Sequence, residues 1–84
     1  MRMNDPMLDA NILGAVIAEY RQRAGLSQEV LSGLAGIGRS HLSAIERGER
    51  KPTMETFYRL SAAMNVRMSE LAAAVEAAMD RKNG

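Results

Sequence analysis

The sequence contains no cysteine, which excludes disulfide staples, thiolate zinc sites and cysteine nucleophiles and removes any argument from cysteine for an oxidising compartment. A single histidine, His41, likewise excludes a His-rich metal site. No run of about 18 apolar residues is present, so no membrane span is expected. The N-terminus has no basic region followed by an apolar stretch, so no secretory signal is expected either, and the chain reads as cytoplasmic. Charge of either sign is nearly balanced: a net charge of +1 argues against a uniformly basic coat and against a polybasic membrane tail.

What is present is a chain of 84 residues, 46% of them hydrophobic, the share of a globular protein and enough for one small domain. Folding at this size removes roughly 60–65% of the unfolded chain's surface from water, and so thin a core invites support from a second copy. The charge total hides a distribution. Residues 1–19 set Arg2 against Asp5, Asp9 and Glu19, a net of −2. Residues 20–67 set Arg21, Arg23, Arg39, Arg47, Arg50, Lys51, Arg59 and Arg67 against Glu29, Glu46, Glu49 and Glu55, a net of +4. Residues 68–84 set Arg81 and Lys82 against Glu70, Glu76 and Asp80, a net of −1. The positive charge lies in the middle of the chain.

Gly, Pro and Asn divide the sequence into short pieces whose apolar residues recur at three and four. No run of alternating β-branched residues is long enough for a strand, so the chain reads as all-α. Residues 1–10 mix Met with Asp, Asn and Pro and are expected to form a flexible arm. A first helix follows to about Ala24, with Leu13, Val16, Ile17, Tyr20 and Ala24 inward and Gly25 as its stop. Ser27 is suited to cap a second helix, with Glu29 in its first turn, Val30, Leu31, Leu34 and Ala35 inward, and Gly36 at its end. A third helix over Ser40 to Arg47 turns Leu42 and Ile45 inward and stops at Gly48. After a polar loop interrupted by Pro52, Thr53 caps a fourth helix carrying Met54, Phe57, Leu60, Ser61 and Met64, closed by Asn65 and Val66. A fifth runs from Ser69 through Leu71, Val75, Ala78 and Met79.

Two short helices joined at Gly36, the second stopped by Gly48, have the outline of a helix-turn-helix. Leu31, Ser32, Ala35, Ile37, Leu42 and Ile45 fall where two such crossing helices must meet, and Gly36 permits the left-handed backbone of the turn. Arg39, Ser40, His41, Ser43, Ala44 and Arg47 remain outward, with no acid among them. The run from Leu26-Ser-Gln-Glu-Val-Leu to Ile37, then Arg39-Ser-His-Leu-Ser-Ala-Ile-Glu-Arg-Gly, then Pro52-Thr-Met-Glu-Thr-Phe, then Leu60 to Val66, resembles the lambda-repressor-like, Xre-type DNA-binding domain over about residues 11–71.

That resemblance implies a five-helix domain that binds double-stranded DNA as a homodimer, with the third helix in the major groove. Residue by residue it implies that Gln28 clamps a phosphate, that Arg39, Ser40, Ser43 and Ala44 face base edges, and that His41 reaches phosphate or the groove edge. Arg47, Arg50 and Lys51 are placed for flanking phosphates, Arg21 and Glu46 for a structural ion pair between the first and third helices, and Arg59 for a solvated face. Gly38 stands where the family usually has a capping Ser, Thr or Asp, and Ser32 and Ser61 stand where Ala is usual.

The stripe of Leu71, Val75 and Met79 suits either the chain's own core or a second copy, and it is assigned to the homodimer interface because the family dimerises through its C-terminal end. Such a dimer sets two recognition helices about 34–36 Å apart over a palindromic operator. The expected organisation is an arm over residues 1–10, a helix-turn-helix domain over 11–66, and a C-terminal helix over 67–84 with a frayed end. The expected function is a sequence-specific transcriptional regulator of bacterial or phage type, nucleoid-associated when bound, with no cofactor, no metal and no small-molecule ligand. The alternative is an interaction protein of antitoxin or anti-activator type whose partner is a toxin or another regulator and whose DNA binding is secondary. An enzyme finds no footing, since one His, no Cys and Asp residues confined to the ends leave no nucleophile–base or metal constellation.

Overall fold

The computed structural model describes residues 6–84, and the part of the expected arm before Pro6 lies outside them. Five α-helices and no strand occur among the described residues: α1 Ala10–Arg23, α2 Gln28–Ala35, α3 Arg39–Glu46, α4 Met54–Ala63 and α5 Met68–Asn83. None of the described helices is long and apolar enough to cross a membrane. α1 packs on α3 and α5, α2 on α3 and α4, and α4 on α5.

Three helices begin on side-chain caps. Asp9 accepts the backbone N–H of Asn11 (2.8 Å) and Ile12 (3.2 Å), Ser27 that of Val30 (3.1 Å), and Thr53 that of Thr56 (3.0 Å). Asp9 also forms an ion pair with Lys82 near the end of α5, so residues 9 and 10 of the expected arm are held, and α5 continues to Asn83. α3 and α5 follow Gly38 and Arg67, neither of which makes a side-chain cap, and α5 begins at Met68, one residue before the expected Ser69 start.

The first four helices share one kind of stop. At Gly36 (φ 72°) and Gly48 (φ 79°) the backbone turns left-handed, and the next residue's N–H reaches back five residues, from Ile37 to Ser32 (3.0 Å) and from Glu49 to Ala44 (2.9 Å). α1 and α4 end the same way, with bonds from Leu26 to Arg21 (3.1 Å) and Val66 to Ser61 (3.0 Å). These are Schellman stops, which satisfy the carbonyls left open at a helix end. Leu26, Ile37 and Val66, the residues just past three of the stops, pack against the core, whereas the fourth, Glu49, is exposed.

Leu13, Val16, Ile17, Leu31, Ala35, Leu42, Ile45, Phe57, Leu60, Met64, Leu71 and Val75 form the core. Four residues of the expected apolar faces lie outside it. Val30 and Leu34 are 48% and 62% exposed, because α2 is one stripe wide inward and Leu31 and Ala35 occupy that stripe. Met54 is 72% exposed at the outer start of α4, and Ala24 caps α1 in solvent. The expected stripe divides: Leu71, at 0% exposure, fills the protomer's own core, which α1 and α4 close over α5, while Val75, at 5%, and Met79 line the apolar face beside Phe57.

Candidate nucleic-acid interface

The interface is built from the turn outward. Ser32, 3% exposed, sits where α3 crosses α2, and its hydroxyl donates to the Glu29 carbonyl (3.0 Å), so a polar group at the crossing is satisfied. Leu42 and Ile45 anchor α3 from below with no exposure at all. With those two positions fixed inward, the helical period puts Arg39, Ser40, Ser43, Ala44 and Arg47 on one outward half of α3. Arg39, Ser40 and Arg47 are exposed; Ser43, Ala44 and His41 are half-buried.

The acid of α3, Glu46, is turned the other way. Its carboxylate accepts Arg21 Nε (2.7 Å) and Nη2 (3.1 Å) and the Gln28 side-chain amide (2.9 Å), while Arg21 Nη1 donates to the Leu26 carbonyl (2.8 Å). The hydrogen bond to Glu46 raises the Arg21 pKa above its ordinary value against the opposing effect of burial. One carboxylate thereby joins α1, the start of α2 and α3. Gln28, expected at a phosphate, is half-buried with its amide fixed by Glu46, and its second N–H is left over at the start of α2.

Gly14 was not singled out from the sequence, yet it sets how close α1 comes to α3. A Cβ added there would collide with the carbonyl oxygen of Ile45 and lie 2.7 Å from that of Glu46. At the next turn Gly48 lies against Asn11, whose Cα would be 2.9 Å from an added Cβ. The end of α3 is therefore seated on bare backbone, and the only advance signal was a glycine inside an otherwise good helix.

The cations of this half of the molecule fall into two groups. Arg39, Arg50 and Lys51 are exposed and form no ion pair with another described residue. Arg47 is engaged: Nε and Nη2 donate to the two carboxylate oxygens of Glu49 (2.8 and 2.9 Å), and Nη1 donates to Ser43 Oγ. The pairing lowers the Glu49 pKa and raises that of Arg47, hydrogen bonding first and charge second. Arg59 pairs with Glu55 one turn away (3.2 Å) and lies beside Gly36.

Residues 17–71 match the Helix-turn-helix family. Over 60 residues the chain is 38% identical to an uncharacterised HTH-type transcriptional regulator of Sinorhizobium fredii, covering 71% of this chain and 78% of the relative. It is 35% identical over 60 residues to the control protein C.SmaI of Serratia marcescens, covering 71% of each. Among solved structures, the restriction-modification controller protein C.AhdI from Aeromonas hydrophila superposes with a TM-score of 0.73 at 34% identity, covering 77% of this chain and 98% of that one.

Proposed function

The chain belongs to the helix-turn-helix family of Xre-type, DNA-binding transcriptional regulators, and from that premise we propose that it reads a palindromic operator as a homodimer, with α3 in the major groove. The observation that supports this best is the outward half of α3. It carries Arg39, Ser40, Ser43 and Ala44 and no carboxylate, while Glu46 is drawn inward by Arg21 and Gln28.

In this reading Arg39, at the start of α3, offers a bidentate pair to guanine O6 and N7. Ser40 and Ser43 offer hydroxyls to base edges, and Ala44 a methyl-sized surface. The remaining N–H of Gln28 and the first backbone N–H groups of α2 meet a phosphate, with Glu46 fixing the amide's orientation. His41, Arg47, Arg50 and Lys51 meet flanking phosphates, which set affinity and register rather than sequence. The second copy is seated on the apolar face that Met54 and Phe57 of α4 form with Ala72, Glu76 and Met79 of α5, not on Leu71. The protein acts in the cytoplasm by occupying a promoter, a regulatory class that its likeness to restriction–modification control proteins supports.

The test is a titration with a duplex selected by the protein from a random pool, at two salt concentrations. Arg39→Ala is expected to weaken that duplex by about 1–3 kcal/mol and to relax the preferred base at one position of each half-site. Lys51→Ala is expected to weaken all duplexes alike and to lower the salt slope by about 0.9 per protomer. A wild-type protein that selects no sequence, with Arg39→Ala silent, overturns the reading.

A further inference from the structure

Within the cationic half of the molecule one arginine is already matched to an anion with the fork geometry that a phosphate would use. The Arg47 guanidinium meets both Glu49 oxygens, at 2.8 and 2.9 Å, and its third nitrogen holds Ser43 Oγ. Arg39, Arg50 and Lys51, its exposed neighbours in sequence, have no such partner among the described residues. Bidentate arginine–carboxylate and arginine–phosphate pairs use the same two parallel N–H donors, so one guanidinium edge cannot serve both.

A second observation concerns where Glu49 sits. It is the residue just past the α3 stop, its N–H bonded to the Ala44 carbonyl at 2.9 Å, so its backbone is fixed. At the equivalent place after α1, α2 and α4 the chain has Leu26, Ile37 and Val66, each packed against the core, which is the usual apolar closure of such a stop. At α3 that closure is given up for an exposed carboxylate two residues from Arg47.

We propose that Glu49 is an affinity-determining residue, a built-in counter-anion that occupies Arg47 in the free protein and must release it before Arg47 can engage a DNA phosphate. The inference rests on the DNA-binding reading above and goes beyond it in assigning a role to an acid. The exchange replaces one charge-assisted pair by another, so Arg47 adds little to affinity while Glu49 is present. It also leaves the Ser43 hydroxyl committed to Arg47 until α3 is seated. The part of affinity held down in this way is the sequence-independent part, because phosphate contacts are the same on every duplex.

The test is a two-by-two set on the full-length chain: wild type, Arg47→Ala, Glu49→Gln and the double variant, with Glu70→Gln on the exposed face of α5 as a control for loss of one negative charge. Binding is read on the self-selected duplex and on a duplex of unrelated sequence across a salt series. Glu49→Gln is expected to tighten the unrelated duplex roughly 3–10-fold and to steepen the salt slope by up to about 0.9 per protomer, because Arg47 then meets its phosphate without leaving an unpaired carboxylate that takes up a cation. Arg47→Ala alone is expected to change affinity less than about twofold, and in the double variant it should abolish the gain, a coupling that a cycle isolates. A gain no larger than that of Glu70→Gln, or one that survives in the double variant, overturns the proposal and leaves the DNA-binding reading intact. A wild-type chain that binds neither duplex overturns both.

Discussion

Asp9 carries two loads with one carboxylate. It accepts the first backbone N–H groups of α1 and pairs with Lys82 from the far end of the chain, and Lys82 foremost, then the Ile12 N–H, holds its pKa below the ordinary aspartate value. Because the folded pKa is the lower one, the unfolded chain takes up a proton first as pH falls. The stabilisation is complete above the ordinary aspartate pKa of about 3.9 and drains away as pH drops through the folded value. Asp9→Asn retains a cap acceptor and loses the ion pair, whereas Asp9→Ala loses both. Thermal melts at pH 7 are expected to rank wild type above Asn above Ala, with the Ala variant lower by a few degrees, and the gap between wild type and Asn should narrow as pH falls below the ordinary aspartate range. The cap is a local matter and Asp stands in the right place for it, but the partnership with Lys82 joins opposite ends of the chain and has no local signal in the sequence.

Between elements, α1 lies against the end of α3 on bare backbone, and the same substitution means opposite things at two helical glycines. At Gly14 an added methyl meets the carbonyls of Ile45 and Glu46, so Gly14→Ala is expected to cost about 1–3 kcal/mol by overpacking. At Gly33 nothing lies within 4 Å of the added carbon, so Gly33→Ala is expected to gain about 0.5–1 kcal/mol from helix propensity alone. Urea unfolding of the two variants separates the signs. The helix order, two of the three side-chain caps and all four stops were legible in the sequence, because Ser27, Thr53, Gly25, Gly36, Gly48 and Asn65 act over a few residues, whereas Asp9 was assigned to the arm. The inward face of α2 was legible only in part. Val30/Leu34 and Leu31/Ala35 are both apolar pairs at a spacing of four, and the choice between them is made by α3 and α4, which lie elsewhere in the sequence. Gly14 and the Gln28–Glu46 bond were missed for the same reason, each being a contact between parts of the chain far apart in sequence.

For the molecule as a whole, the expected surface for a second copy moves but does not vanish. Leu71 is consumed by the protomer's core, and what is left outside is the shallow apolar face between Met54, Phe57, Ala72, Val75 and Met79. Sedimentation at micromolar concentration is expected to give a dimer for wild type and a monomer for Met54→Asp, with helical circular dichroism unchanged because Met54 is already 72% exposed. A dimer that persists in Met54→Asp places the second copy elsewhere. The charge distribution, legible from the sequence, keeps its meaning in the fold only after pairing is considered. The +4 over residues 20–67 includes Arg21, Arg23, Arg47 and Arg59, each bound to a carboxylate, so the exposed unpaired charge among the described residues is concentrated on fewer side chains.

The four Schellman stops have a further consequence. Each is closed by main-chain atoms within six consecutive residues, so the lengths and crossing points of α1 to α4 are written in backbone and in the few residues at the stops. Arg39, Ser40 and Ala44 take no side-chain part in any of them, and Ser43 only accepts from Arg47. The side chains on the outward half of α3 are thus open to exchange, and on the proposed reading the preferred duplex changes with them, while the frame that holds them at a fixed height and angle stays as it is.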